Sequence, residues 1–254
     1  MVWIRAVILA FSAYSRIPVP QMKRDGSAAK LSIAFLPLVG AAVGGAVWLW
    51  ANFCRAKEFS PVLFAAVAAA LPILITGGIH MDGFCDTADA LSAWRGKERA
   101  LEILKDPRAG AFAVIHFGAY MLVNFALLYE LFGRGLGAGF GFVYVVSRGF
   151  AAWSAMTFKS AKSDGMLADF TEKNEKKRRA AIKIILVFLT AVGMVCFMLF
   201  TAFHGVFGLL ICPPAMVLYK KMSLKRFGGI TGDTTGWFLQ ILEIILLAGL
   251  LGLS

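Results

Sequence analysis

Residues 31–54, LSIAFLPLVGAAVGGAVWLWANFC, run for 24 positions without a charged side chain. At about 1.5 Å of rise per residue, a helix of that length exceeds the roughly 30 Å of hydrocarbon in a bilayer. Lipid offers backbone groups no partner, so only a helix or a closed barrel can stand there. The stripe Gly40, Gly44, Gly45 would let a neighbouring helix approach closely, as small residues do between membrane helices. This one stretch makes the membrane the solvent. The rest of the chain agrees, with 59% hydrophobic residues, 16% charged and a mean hydropathy of +0.74, against roughly 25% charged in soluble domains.

Working outward, further apolar runs lie at 60–79, 111–129, 135–158 with Arg148 inside it, 184–203, 205–219 with Pro213 and Pro214, and 234–254 with Glu243. The predicted fold is an all-α, polytopic transmembrane helical bundle, one integral membrane domain over 1–254, of seven spans, or six if 205–219 is re-entrant. Residues 2–14 are too few to span and are interrupted by Arg5, so they predict a short interfacial helix. Residues 1–20 end in Pro18 and Pro20 without a small-residue cleavage site, which argues against a cleaved signal.

The net charge of +11 is distributed as a topology signal. With seven spans, segments 1–30, 80–110, 159–179 and 220–233 fall on one side and hold 21 of the 26 Lys and Arg residues, while the opposite side holds Arg55, Lys57 and Arg134. The positive-inside rule then places the N-terminus in the cytoplasm, in a cytoplasmic or inner cell membrane. Because the basic residues sit between apolar runs rather than on a soluble face, nucleic acid is not a predicted partner. Cys54, Cys85, Cys196 and Cys212 stand singly without a CxxC spacing and give neither a zinc site nor a disulfide framework.

The chemistry concentrates in GGIHMDGFCDTADAL, residues 77–91. On a helix, Asp82, Asp86 and Asp89 stand at i, i+4 and i+7 and fall within about 60° of one another. Carboxylates so close take up protons unless a cation intervenes, and an all-oxygen donor set suits Mg²⁺ or Mn²⁺. His80 is either a hydrogen-bonding neighbour of that site or an interfacial residue. A second segment, GGITGDTTG at 228–236, opens the last run. There Gly228, Gly229 and Gly232 permit close backbone approach to a phosphate, Thr231 can donate to it, and Asp233 can complete a metal site. Lys105, Arg108 and Arg148 supply positive charge on the same side. Arg148 lies within a span, where it needs either a carboxylate partner or a diphosphate. Glu243, also intramembrane, needs a partner as well. Lys162-Ser163-Asp164-Gly165-Met166 reads as a polar turn and 173–179 as a headgroup-facing basic block. Together these features point to phosphoryl or diphosphate chemistry on a substrate arriving from the cytoplasm.

The 77–91 segment resembles the signature of the cobalamin synthase family, the adenosylcobinamide-GDP ribazoletransferases. Ser15-Arg16-Ile17-Pro18-Val19-Pro20, Leu36-Pro37-Leu38-Val39-Gly40, 104–112 (LKDPRAGAF) and Gly228-Gly229-Ile230-Thr231-Gly232-Asp233 resemble further family blocks in the family's order, so the likeness covers nearly the whole chain. The resemblance implies a Mg²⁺-dependent membrane transferase that joins adenosylcobinamide-GDP to α-ribazole, or its 5′-phosphate, and releases GMP. The ribose 3′-hydroxyl would attack the cobinamide-side phosphate. It also implies that Asp82, Asp86 and Asp89 are catalytic and, with Asp233, ligate metal. His80, Lys105, Arg108, Arg148, Gly228, Gly229, Thr231 and Gly232 would contact substrate or phosphate. The implied partners are the two substrates and the lipid bilayer, with a homo-oligomer admitted. Ala90 stands where the family pattern has Gly, and Gln240 where it has Glu. A CDP-alcohol phosphotransferase would add an Ala-Arg pair after the first Asp-Gly and a fourth downstream aspartate. An ion-coupled transporter would place its acids near the midplane and show internal repeats. This chain has none of these features.

Overall fold

The computed structural model describes residues 2–22, 26–93, 96–106, 108–134, 139–161, 175–201 and 203–251. The expected polar turn at 162–166 and the start of the basic block at 173 and 174 lie outside them. Among the described residues there is no β-strand, only a bridge that pairs Ser160 with Ile230. The helices are α1 (Val2–Tyr14), α2 (Gly26–Ser32), α3 (Leu36–Ala56), α4 (Pro61–Thr76), α5 (Ile79–Ser92), α6 (Lys97–Ile103), α7 (Ala111–Gly133), α8 (Val143–Thr157), α9 (Glu175–Thr201), α10 (Phe203–Phe227) and α11 (Gly232–Leu251).

Cross-contacts give the directions. Phe64 stacks on Phe132 at 4.2 Å, so α4 runs against α7. Arg55 sits over Phe132, and Arg134 donates to the Leu251 carbonyl, so α3, α7 and α11 end together. α8 returns from Phe140, beside Phe64, to Phe158, beside Tyr219 near the end of α10. Segments α3, α4, α7, α8, α9, α10 and α11 thus alternate between the two ends of the bundle.

Five helical units are long and apolar enough to cross a membrane: Gly26–Ala56, Ala111–Gly133, Arg178–Thr201, Gly205–Phe227 and Gly232–Leu251. Two of the expected spans are shorter as helices. The 60–79 run supplies the 16 residues of α4 and reaches a span's length only together with α5, from which it is bent by 97°. The described part of the 135–158 run is a 3₁₀ turn, Gly139–Phe142, followed by the 15 residues of α8. Conversely, the 205–219 run is the middle of an unbroken 25-residue helix that passes through Pro213 and Pro214. A reading that stopped at Lys220 cut that helix early. Lys225 and Arg226 belong to its last turn, where cations complement the carbonyl end of the helix dipole.

The interior is set by α3 and α11, with 61% of each apolar window buried, against 22% for α7 and α9 and 28% for α10. The outer faces of α7 and α9 expose Val114, Ile115, Leu122, Ile184, Phe188 and Leu199, an apolar belt that only hydrocarbon accommodates. Two of the three stripe glycines on α3 face α8 and the 3₁₀ turn before it: a Cβ on Gly40 would strike the Tyr144 carbonyl, and one on Gly44 would strike the Gly141 carbonyl. Gly45 meets nothing within 4 Å. The short α1 lays Ala6, Leu9 and Ala10 against the bundle and leaves Val2, Trp3 and Ile4 exposed, the division expected of an interfacial helix.

Candidate active site

The site is built on the break between α4 and α5. Gly77 ends α4 at φ +66° and Gly78 opens α5 at φ +80°, both in the left-handed region that suits glycine. Two such residues in succession turn the chain out of the span direction, so α5 lies across the end of the bundle where α7 and α11 begin. Its buried face carries His80, Met81, Phe84, Thr87 and Ala88. Met81 and Phe84 pack with Tyr120, and Trp237 and Ile241 join that cluster. The three aspartates take the other side: Asp82 is exposed, Asp86 and Asp89 half-buried.

Gly83 and Asp233 bring a fourth carboxylate to them. A Cβ at Gly83 would lie 2.8 Å from the Cα and carbonyl oxygen of Asp233, so the backbones of α5 and α11 nearly touch. One turn further on, Gly236 meets the backbone of His80 in the same way. Desolvation first, then the charges of Asp82, Asp233 and Asp89, push the Asp86 carboxyl up to about 6. The carboxylate of Asp89 rests against Gly110, the residue that caps the start of α7. Among the described residues, no three His, Cys, Asp or Glu side chains converge as a ready metal cage. The donors nevertheless fit Mg²⁺, which keeps several waters and is commonly held by one or two carboxylates together with substrate phosphate.

The 228–236 segment is arranged differently from the phosphate cradle that its glycines suggested. Gly228, at φ +79°, terminates α10. Gly229 lies against the backbone of residues 159–161, and Ile230 exchanges backbone hydrogen bonds with that strip, accepting from Ala161 at 2.9 Å and donating to Lys159 at 2.8 Å. Thr231 is buried and serves as the cap of α11: its Oγ1 accepts from the Thr234 amide at 3.1 Å, and its own amide donates to Thr234 Oγ1 at 2.8 Å. Gly232 is open, with nothing within 4 Å of a Cβ there. The loop therefore fixes the first turn of α11, and with it Asp233.

The basic candidates separate. Lys105 is exposed. Arg108 donates Nε and Nη2 to Asp106 at 3.0 and 2.9 Å, and those hydrogen bonds lower Asp106 to about 2. Arg148 has found the carboxylate partner that was one of its two alternatives: Nη1 lies 2.6 Å from Glu243 Oε1, with side chains 1% and 2% exposed. Tyr120 donates to Gln240 at 2.6 Å and Ser147 to Glu243 at 3.4 Å, so this pair ties α7, α8 and α11 together behind the aspartates. His80 is buried beside it and stacks on Tyr14 of α1. Removing one partner of a buried pair costs about 3–5 kcal/mol, whereas replacing both by apolar residues is often neutral. Arg148→Met alone should therefore lower the melting temperature of the protein in detergent, and Arg148→Met with Glu243→Leu should recover most of the loss.

The sequence reading did not pick out the roles of Gly110 and Gly236. Their signal is only that each is a glycine near a functional block, and which backbone it meets depends on tertiary packing.

A helical membrane bundle with clustered acids at one end defines a class of integral membrane protein. Within that class, the family model described as cobalamin-5-phosphate synthase matches residues 6–251, and the chain belongs to that family. It is similar to the adenosylcobinamide-GDP ribazoletransferase of Lachnoclostridium phytofermentans, 39% identical over 250 residues covering 98% of this chain and 94% of the relative. It is also similar to those of Clostridium botulinum, 30% identical with 95% and 94% covered, and Desulfitobacterium hafniense, 30% identical with 96% of each covered. No solved structure matches the chain.

Proposed function

We propose that this protein is a Mg²⁺-dependent adenosylcobinamide-GDP ribazoletransferase, joining adenosylcobinamide-GDP to α-ribazole or its 5′-phosphate and releasing GMP. The observation that carries the reading is that Asp82 and Asp89 on α5 and Asp233 on α11 stand close enough to Asp86 for their charges to act on it, with the backbones of the two helices nearly touching at Gly83, in a chain of this family. These four side chains are the ones that would hold Mg²⁺, which when bound would neutralise charge on the diphosphate and on the departing GMP.

The chain's own part is to position and to take up a proton. The α5 aspartates face the open end of the bundle, where the ribose 3′-hydroxyl can reach the phosphorus on the cobinamide side. One of them accepts the hydroxyl proton as the new P–O bond forms and the bond to GMP breaks. Gly83 and the Thr231 cap hold Asp233 in register with α5. Lys105 adds positive charge at the same end of the bundle. That end also carries the basic ends of α10 and of the 158–161 strip, so the positive-inside rule turns it to the cytoplasm of the cell membrane.

The test is GMP release by purified protein in detergent with adenosylcobinamide-GDP, α-ribazole and Mg²⁺. We expect stoichiometric GMP and adenosylcobalamin, both lost when the ion is chelated and regained when it is restored. Folded protein that releases no GMP under these conditions overturns the assignment.

A further inference from the structure

The Arg108 and Arg148 guanidiniums that the sequence offered to the diphosphate each hold a carboxylate, Asp106 and Glu243. A site lined by four aspartates still has to admit an anionic substrate, and the structure places another arginine at its edge. Ser15 and Arg16 follow α1 directly. The Ser15 hydroxyl donates to the Phe11 carbonyl at 2.7 Å and accepts from the Ile17 amide at 3.3 Å, which fixes the turn. The Arg16 amide donates at 2.7 Å to the carbonyl of Ile75, in the last turn of α4.

From that anchor the Arg16 side chain lies across Gly77, where a Cβ would run into its Cγ, Cδ and Nε. The residue is exposed, and among the described residues its guanidinium makes no hydrogen bond or ion pair, unlike Arg99 with Glu102, Arg108 with Asp106 and Arg148 with Glu243. It therefore stands at the head of α5, where no side chain caps the first amides and a helix start favours an anion. Asp82 stands in the first turn of α5, roughly 4.5 Å of helix rise from Ile79, so a guanidinium over Gly77 at the head of that helix and the aspartates fall within reach of one diphosphate.

We propose that Arg16 grips the phosphate oxygens of the nucleotide diphosphate, a substrate contact additional to the aspartates; this rests on the transferase reading above. The grip is preorganised. Backbone hydrogen bonds set the position of Arg16, and the bare Gly77 surface sets the direction of its stem, so little side-chain freedom remains to be lost on binding. Phosphate chemistry is shared by lipid headgroups, and an exposed arginine near a membrane could serve either; the free guanidinium beside the catalytic helix favours the substrate.

Arg16→Ala leaves the amide bond to Ile75 in place and removes only an exposed side chain, so folding is retained. We expect the KM for adenosylcobinamide-GDP to rise about tenfold or more, the scale of a charge-assisted bidentate contact, with the KM for α-ribazole and the melting temperature unchanged. Arg16→Lys, which keeps the charge and loses the fork, should fall between. GDP binding, measured without turnover, should weaken by a similar factor in Arg16→Ala. Gly77→Ala, which displaces the side chain from the other side, should move the same constants in the same direction. The measurements are repeated in detergent, in phosphatidylcholine liposomes and in liposomes that also contain phosphatidylglycerol. An unchanged KM and unchanged GDP binding in Arg16→Ala overturn the proposal. So does an effect confined to the phosphatidylglycerol liposomes, which would make Arg16 a headgroup contact. Wild-type protein that binds GDP through Arg16 yet releases no GMP would overturn the transferase reading and leave this contact standing.

Discussion

Asp82→Asn and Asp86→Asn should each abolish turnover while the protein still inserts and purifies as a folded helical bundle. The substitution keeps the shape of the side chain and removes its charge, so packing is untouched: Asp82 is exposed and Asp86 half-buried, and among the described residues neither side chain makes a hydrogen bond. On the proposed role, what is lost is an anionic oxygen donor to the ion, and electrostatic contributions of that kind are worth about 10²-fold to 10³-fold or more in rate. The two variants should also lose the stimulation by Mg²⁺ that the proposed function requires of wild type, read as GMP release against ion concentration. Near-normal turnover in both would refute the assignment of the α5 aspartates to the ion. Melting temperatures at or slightly above wild type are expected, because each change relieves repulsion among four neighbouring acids.

Gly83→Ala should be nearly as damaging, although it adds a single methyl group, on the face that packs against α11. That methyl would sit 2.8 Å from the Cα and the carbonyl oxygen of Asp233. Both are backbone atoms at the capped start of α11 and cannot rotate aside, so α5 and α11 must separate. A misplacement near 1 Å of a catalytic group costs on the order of 10²-fold in rate, and a loss of that size in kcat is expected with the helical content retained. Ala88→Gly on the same helix is the comparison: it weakens α5 by about 1 kcal/mol without moving it off α11, and should cost far less activity. If Gly83→Ala proves as active as wild type, the close crossing of the two helices is not what sets the site.

Much of this was legible in the residues. Apolar length located the α3, α7, α9 and α11 spans, because the hydrocarbon thickness leaves few alternatives. The i, i+4, i+7 spacing put three aspartates on one face of α5 before any neighbour was known. What could not be read was the partner of each residue. Arg148 in a span demanded either a carboxylate or a phosphate, and only packing decided for Glu243. Thr231 and the 228–232 glycines looked like a phosphate cradle, since the same residue types serve helix caps and tight backbone crossings. Helix ends misled for a related reason: the 205–219 run closes at Lys220, whereas α10 continues through Pro213 and Pro214 to Phe227, and the 60–79 run hides a sharp turn at Gly77-Gly78 near its end.

The Arg148–Glu243 pair has a consequence for biosynthesis. Its partners are 95 residues apart in the chain, so at ribosomal rates of about 5–20 residues per second Arg148 is made roughly 5 to 19 seconds before Glu243 exists. During that interval α8 carries a cation that hydrocarbon tolerates poorly, and the nascent helix must wait at the translocon or in contact with water. Final consolidation of the bundle is therefore withheld until the last helix arrives, and a chain truncated before Glu243 is left bearing the kind of exposed intramembrane charge by which quality-control proteases can distinguish an unfinished product from a finished one.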